Sequence, residues 1–168
     1  MAVYTKRERK MDSKDRQIIR ELQQNGRLTN QELAQRVNLS PSPCLRRLRN
    51  LEERQIIRGY TALVDQKAYG LPLTVFVRIK LERHALDSVH VFEDSVREID
   101  EILDCFLMTG DTDYMLRVVV QSLDAYESFM RKKIHAIPGI ASIETSFAFG
   151  IVKQTQVFPS MARVSHGS

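Results

Sequence analysis

Residues 40–49 contain Arg46, Arg47 and Arg49 and no acidic side chain. A guanidinium presents its N–H donors in a planar fork, which suits two acceptors at once, such as O6 and N7 of guanine or two phosphate oxygens. Laid out at about 100° per residue, Ser42, Pro43, Arg46 and Asn50 fall on one side of a helix. Cys44, Leu45, Leu48 and Leu51 fall opposite and read as core, with Arg47 and Arg49 on the flanks. The outward row can reach base edges in a major groove, and the flanking arginines can meet phosphates. A solvated amphipathic helix shows the same outer face, so the context of this segment decides between the two. Ser40 stands where it can cap the helix, and Cys44 reads as packed rather than reactive.

A second group of polar residues runs through Thr109, Gly110, Asp111, Thr112, Asp113 and Tyr114. The ammonium of a free amino acid wants a carboxylate or carbonyl, and its carboxylate wants N–H donors. A Gly-containing turn exposes backbone N–H groups, and Asp111 and Asp113 supply acceptors. The same residues also suit an ordinary tight turn.

No other chemistry stands out. His84, His90, His135 and His166 are scattered without paired ligand spacing. Asp111 and Asp113 lack the rest of a calcium loop. There is no phosphate-binding glycine loop, nucleophile elbow or cysteine–histidine pair. No resident cofactor or metal is expected.

Several elements must position these groups. The segment 13–25 carries Ile18, Ile19 and Leu22 at helical spacing. Thr29 and Glu32 form a capping box, with Leu28 and Leu33 placed for a hydrophobic staple. Asn38 can turn the chain before Ser40, and Pro41 opens a third helix running to about Arg54. Three short helices with this break match a helix-turn-helix. From Tyr60 the texture changes. Residues 60–64 read as a short strand and 65–72 as a linker containing Gly70 and Pro72. Alternation of Leu73, Val75, Val77, Ile79 and Leu81 predicts a strand. A helix follows over 89–99, then strands at 102–109 and 114–121 joined by the 110–113 turn. A second helix over 123–137 ends at Pro138–Gly139. A last strand spans 140–149, with a candidate extra one at 151–157. The order βαββαβ is ferredoxin-like. Phe76, the 102–109 segment, Phe147 and Phe149 suggest a sheet apolar on both faces, which calls for a second copy of the chain.

The chain has 168 residues, 43% hydrophobic and 27% charged. Residues 1–58 carry 14 Lys and Arg against 7 acids, whereas the remainder carries 11 against 14. A basic first third joined to an acidic remainder suggests that one part meets a polyanion and the other does not. Lys6 to Lys10 can add phosphate contacts. No charge-free stretch exceeds ten residues, far short of the about 18–20 a spanning helix needs, so no membrane partner is expected. The two cysteines, Cys44 and Cys105, form no C-x-x-C pair, which fits a reducing cytoplasm.

The segment NGRLTNQELAQRVNLSPSPCLRRLRNLEERQIIRGYTALVD resembles the N-terminal half of the Lrp/AsnC family, the leucine-responsive or feast/famine regulators. MTGDTDYMLRV, IPGI and SFAFGIVKQT are similar to that family's regulatory (RAM) domain, so the resemblance runs from about Met11 to Phe158. The segment 1–10 lies outside it. The resemblance implies transcription regulators that dimerise and assemble into tetramers or octamers, with amino acids as common effectors. It also implies that the 109–114 turn lies beside the effector pocket between neighbouring dimers.

The expectation is therefore an α+β chain: a helix-turn-helix domain at 1–58, a strand and linker at 59–72, a ferredoxin-like RAM domain at 73–158 and a disordered tail at 159–168. Its expected partners are double-stranded DNA, itself and a small amino acid, with Ser40, Ser42, Pro43, Arg46, Arg47, Arg49 and Asn50 facing DNA. An effector-independent, DNA-compacting architectural protein is the alternative. An enzyme of amino-acid metabolism is a third reading, for which a nucleophile, metal site or cofactor loop is lacking.

Overall fold

The computed structural model describes residues 11–82 and 86–160. The basic segment 6–10 and the tail from 161 onward lie outside the described residues. The chain divides into two compact units. One combines the described residues up to Ala62 with those from Lys153, and the other is Leu63–Val152.

The first unit is built on three helices, α1 (Ser13–Gln24), α2 (Asn30–Arg36) and α3 (Pro41–Glu53). α1 starts on a reciprocal pair: Asp12 Oδ1 accepts from the Asp15 amide at 2.9 Å, and Asp15 Oδ2 accepts from the Asp12 amide at 3.1 Å. α2 starts likewise. Glu32 Oε2 accepts from the Thr29 amide at 2.7 Å, and Thr29 Oγ1 accepts from the Glu32 amide at 3.3 Å. Each pair satisfies amides that a helix start leaves without intrahelical partners. Asn38 takes φ +53° and turns the chain toward α3. Lys14 Nζ donates to the Val37 carbonyl at 2.6 Å, closing the end of α2. Ile18, Leu33, Ala34, Val37, Cys44 and Leu51 form the core, with Leu28, Leu48 and Ile57 packed around them.

Residues 156–160 return to α1. The Gln23 side-chain amide pairs with that segment's backbone, with Nε2 donating to the Gln156 carbonyl at 2.6 Å and Oε1 accepting from the Phe158 amide at 3.1 Å. Arg20 Nη1 reaches Ser160 Oγ at 3.1 Å. The segment 151–157 forms no strand, and neither does 60–64. Tyr60 instead donates its hydroxyl to Glu52 Oε1 on α3 at 2.8 Å.

The second unit holds β1 (Leu73–Leu81), α4 (Leu86–Arg97), β2 (Ile102–Leu107), β3 (Tyr114–Val120), α5 (Leu123–Phe129) and β4 (Ile140–Phe147). The strands form one antiparallel sheet in the order β2-β3-β1-β4, the arrangement that ferredoxin-like connectivity produces. The helix expected over 123–137 is α5 followed by a π-helical turn, Met130–Ile134. Val75, Val77, Ile79 and Leu81 of β1 join Leu116 and Val118 of β3, Phe92 of α4 and Phe129 of α5 in a single core.

The register corrects one sequence reading. Phe147, Thr145 and Ile143 pair with Val75, Val77 and Ile79, so they face the helices. The Phe147 ring meets Tyr126 edge-on at 5.2 Å. The opposite face is mixed. Phe76, Met115 and Phe106 alternate there with the ion pairs Arg78–Glu144 and Arg117–Asp104. Exposed apolar surface includes Leu103, Phe106 and Leu107 of β2, as the sequence suggested for that strand, and also Leu63, Val64, Phe149, Ile151 and Val152 at the ends of this unit.

Candidate nucleic-acid interface and ligand turn

Pro41 opens α3 at a position where its missing N–H costs nothing. Ser40 occupies the cap position without a side-chain hydrogen bond, its carbonyl accepting from the Cys44 amide at 3.2 Å. Cys44 and Leu51 anchor the helix in the core, and burial pushes the Cys44 thiol up. Ser42, Arg46, Arg49 and Asn50 are exposed, and Pro43 is half-buried. With Leu45 and Glu53, those four exposed residues line one shallow depression along the helix. Among the described residues, no carboxylate pairs with Arg46 or Arg49. The outer row is thus a strip of donors and cations that a folded neighbour does not neutralise.

Arg47 lies elsewhere. Its Nη1 donates to Asp12 Oδ2 and Asp15 Oδ1, both at 2.7 Å, and the side chain is half-buried between α3 and the start of α1. Those hydrogen bonds raise the guanidinium pKa further. Burial works to raise the Asp12 carboxyl, but the Asp15 amide and the Arg47 guanidinium outweigh it and hold the group at about 2. A helical wheel of α3 alone does not contain these partners, because they stand 32 and 35 residues away. The acid pair Asp12 and Asp15 at a helix start was the available signal.

The 109–114 turn also separates into two parts. Gly110 takes φ +108° with open space around its Cα, and Thr109 and Asp111 are exposed. Thr112 is half-buried. Asp113 is tied into the sheet: its Oδ2 accepts from the Leu81 amide at 2.8 Å and its own amide donates to the Ile79 carbonyl at 2.9 Å. Tyr114 is buried against Phe92 at 4.6 Å between ring centres and donates its hydroxyl to Glu93 Oε1 at 2.9 Å. Desolvation and that carboxylate push its phenol up to about 12. The open acceptors and donors are therefore Thr109, Asp111 and the turn backbone. Across the end of β1, Leu81 pairs with Ile140, and His135, Ile137, Gly139 and Ile140 to Ile143 line a second depression. Sequence reading did not select this patch, for which Pro138–Gly139 was the available mark.

The helical unit with its exposed cationic strip, followed by the antiparallel sheet unit, is matched by family models of a DNA-binding domain and a ligand-binding domain, the class of DNA-binding transcription regulators. Residues 11–58 match the winged helix-turn-helix DNA-binding model, and residues 74–158 match the Lrp/AsnC ligand binding domain. The chain belongs to the Lrp/AsnC family. It is 44% identical over 138 residues to the Bkd operon transcriptional regulator of Pseudomonas aeruginosa, covering 82% of this chain and 90% of that one. It is 41% identical over 145 residues to the leucine-responsive regulatory protein of Escherichia coli, covering 86% and 88%. Among solved structures it is similar to a transcriptional regulator of Neisseria meningitidis in complex with L-Met. That match has 40% identity and a TM-score of 0.84, covering 88% of this chain and 96% of that one. No helix among the described residues is long and apolar enough to cross a membrane.

Proposed function

We propose that the protein is a sequence-specific regulator in which 1–58 reads DNA, 59–72 connects, and 73–158 self-associates and senses an amino acid. The observation that carries this reading is the contrast on α3. Arg47 is neutralised by two carboxylates, whereas Arg46 and Arg49 stand exposed beside Ser42 and Asn50. Cations without acidic partners on a helix that follows a turn of this kind suit a polyanion carrying base edges. Ser40 and Pro43, at the start of the helix, would flank the first contacts.

An amino-acid effector is supported by the open Asp111 carboxylate and the exposed turn backbone at Gly110. A relative of 40% identity bound to L-Met points the same way. Thr109, Gly110, Asp111 and Thr112 would meet the ligand, with Asp113 and Tyr114 holding the turn. Self-association is supported by exposed Leu63, Val64, Phe149, Ile151 and Val152, an apolar surface that water disfavours. In this reading the effector favours one assembly over another and so shifts the population that binds DNA. The protein is a cytoplasmic, non-catalytic binder, in keeping with its free cysteines and with relatives named as regulators.

A thermal-shift screen of the twenty amino acids tests the sensing half, because a ligand held only by the folded state raises its melting temperature. Hits then enter a gel-shift assay on duplexes selected from a random pool. Sequence-selective binding that changes with a hit supports the reading. Equal binding to every duplex, unaffected by any amino acid, would assign the chain to architectural DNA compaction instead.

A further inference from the structure

Leu45 sits at the fifth position of α3. A helical wheel groups it with Cys44, Leu48 and Leu51, yet it takes no part in the apolar core of the helical unit, which includes those three. It is half-buried and lines the same depression as Ser42, Arg46, Arg49 and Asn50. On the helix it stands about 40° from Arg49, on the flank opposite Arg47.

An apolar side chain that contributes little to its own core, placed among cations and amides, calls for an apolar surface on whatever the strip binds. The edges of base pairs in a major groove offer one such group, the C5 methyl of thymine. We infer that Leu45 is a specificity-determining residue that packs on a thymine methyl. The inference rests on the DNA-binding reading of α3. Glu53, at the far end of the depression, narrows the placement: its carboxylate opposes phosphates. The duplex therefore approaches the part of the strip between Ser42 and Asn50, which contains Leu45. Arg46 and Asn50 can supply hydrogen bonds there, and Leu45 adds discrimination between thymine and cytosine, which lacks the methyl.

The test removes the methyl from the DNA and leaves the protein untouched. Duplexes are selected from a random pool with the full chain, and each thymine of the enriched site is replaced in turn by uracil. At one or more positions the parent protein should lose about fourfold in affinity, the worth of one buried carbon. Leu45→Ala should bind the thymine and uracil duplexes equally at those positions, with a circular dichroism spectrum like the parent's. Leu45→Met, which keeps apolar surface, should retain the uracil sensitivity. A parent indifferent to uracil at every position, or a Leu45→Ala protein that keeps the same losses, overturns the inference while leaving DNA binding intact. A selection that enriches no sequence overturns the DNA reading itself, and this inference with it.

Discussion

Arg47 of α3 and Asp15 of α1 meet at 2.7 Å, and the carboxylate is almost wholly removed from solvent. The contact ties the start of α1 to the middle of the helix proposed to read DNA. Arg47→Ala leaves a buried carboxylate without its charged donor and should destabilise the helical unit by about 1–3 kcal/mol. Thermal melting measures this. Arg49→Ala should instead leave melting unchanged and reduce the salt dependence of DNA binding by about one phosphate contact. If Arg47→Ala melts like the parent but flattens the salt dependence, Arg47 is a phosphate contact after all.

Acid should act on the same pair. The Asp12 carboxyl, ordinarily near 3.8, is held at about 2 in the folded chain. The folded state therefore binds fewer protons than the unfolded state between these values. Its contribution to stability is fully present above about 3.8 and is lost as pH falls toward about 2. Urea titrations at pH 5, 4, 3 and 2 should show helical-unit stability dropping over that window. The drop should be smaller in Arg47→Ala, which lacks the lowering partner.

In the ligand turn, the two aspartates should behave differently. Asp113→Ala removes the acceptor of the Leu81 amide and should cost about 1–3 kcal/mol of sheet-unit stability. Asp111→Ala should leave melting unchanged and weaken the thermal shift produced by the effector. Gly110→Val should destabilise the hairpin, because φ +108° strains a β-branched residue. Equal behaviour of the two aspartate variants in both assays would refute this separation of roles.

Self-association should depend on the apolar ends of the sheet unit. Phe149→Asp combined with Val152→Asp places two charges on side chains that are fully exposed in the single chain. Light scattering should show a lower mass than for the parent, with an unchanged helical circular dichroism signal. A parent that scatters as a monomer at micromolar concentration refutes the self-association proposal.

Sequence patterns carried the local elements well. The Thr29–Glu32 cap, the left-handed Asn38, Pro41 at the start of α3 and the alternation along β1 all follow from interactions within a few residues. Contacts between distant residues escaped. The partners of Arg47 lie on another helix, and the Asp113 side chain bonds a strand end 32 residues earlier. The facing of Phe147 depends on its register with Val75. The segments 60–64 and 151–157 have strand-like composition, but a strand needs a neighbouring edge. Tyr60 is instead drawn to Glu52, and residues 156–158 to Gln23. No local mark accounts for the π-helical turn at Met130–Ile134.

The hydrogen bonds from Gln23 to Gln156 and Phe158 bear on how the chain is made. Synthesis runs from the N-terminus, and early domains fold as they emerge. α1 to α3 can assemble their small core as soon as residues up to about 57 are free. The backbone that pairs with Gln23 is translated only after the whole sheet unit. The helical unit is therefore begun first and completed last, and a ribosome stalled before Gln156 would hold a nascent chain whose α1 surface still lacks its final partners.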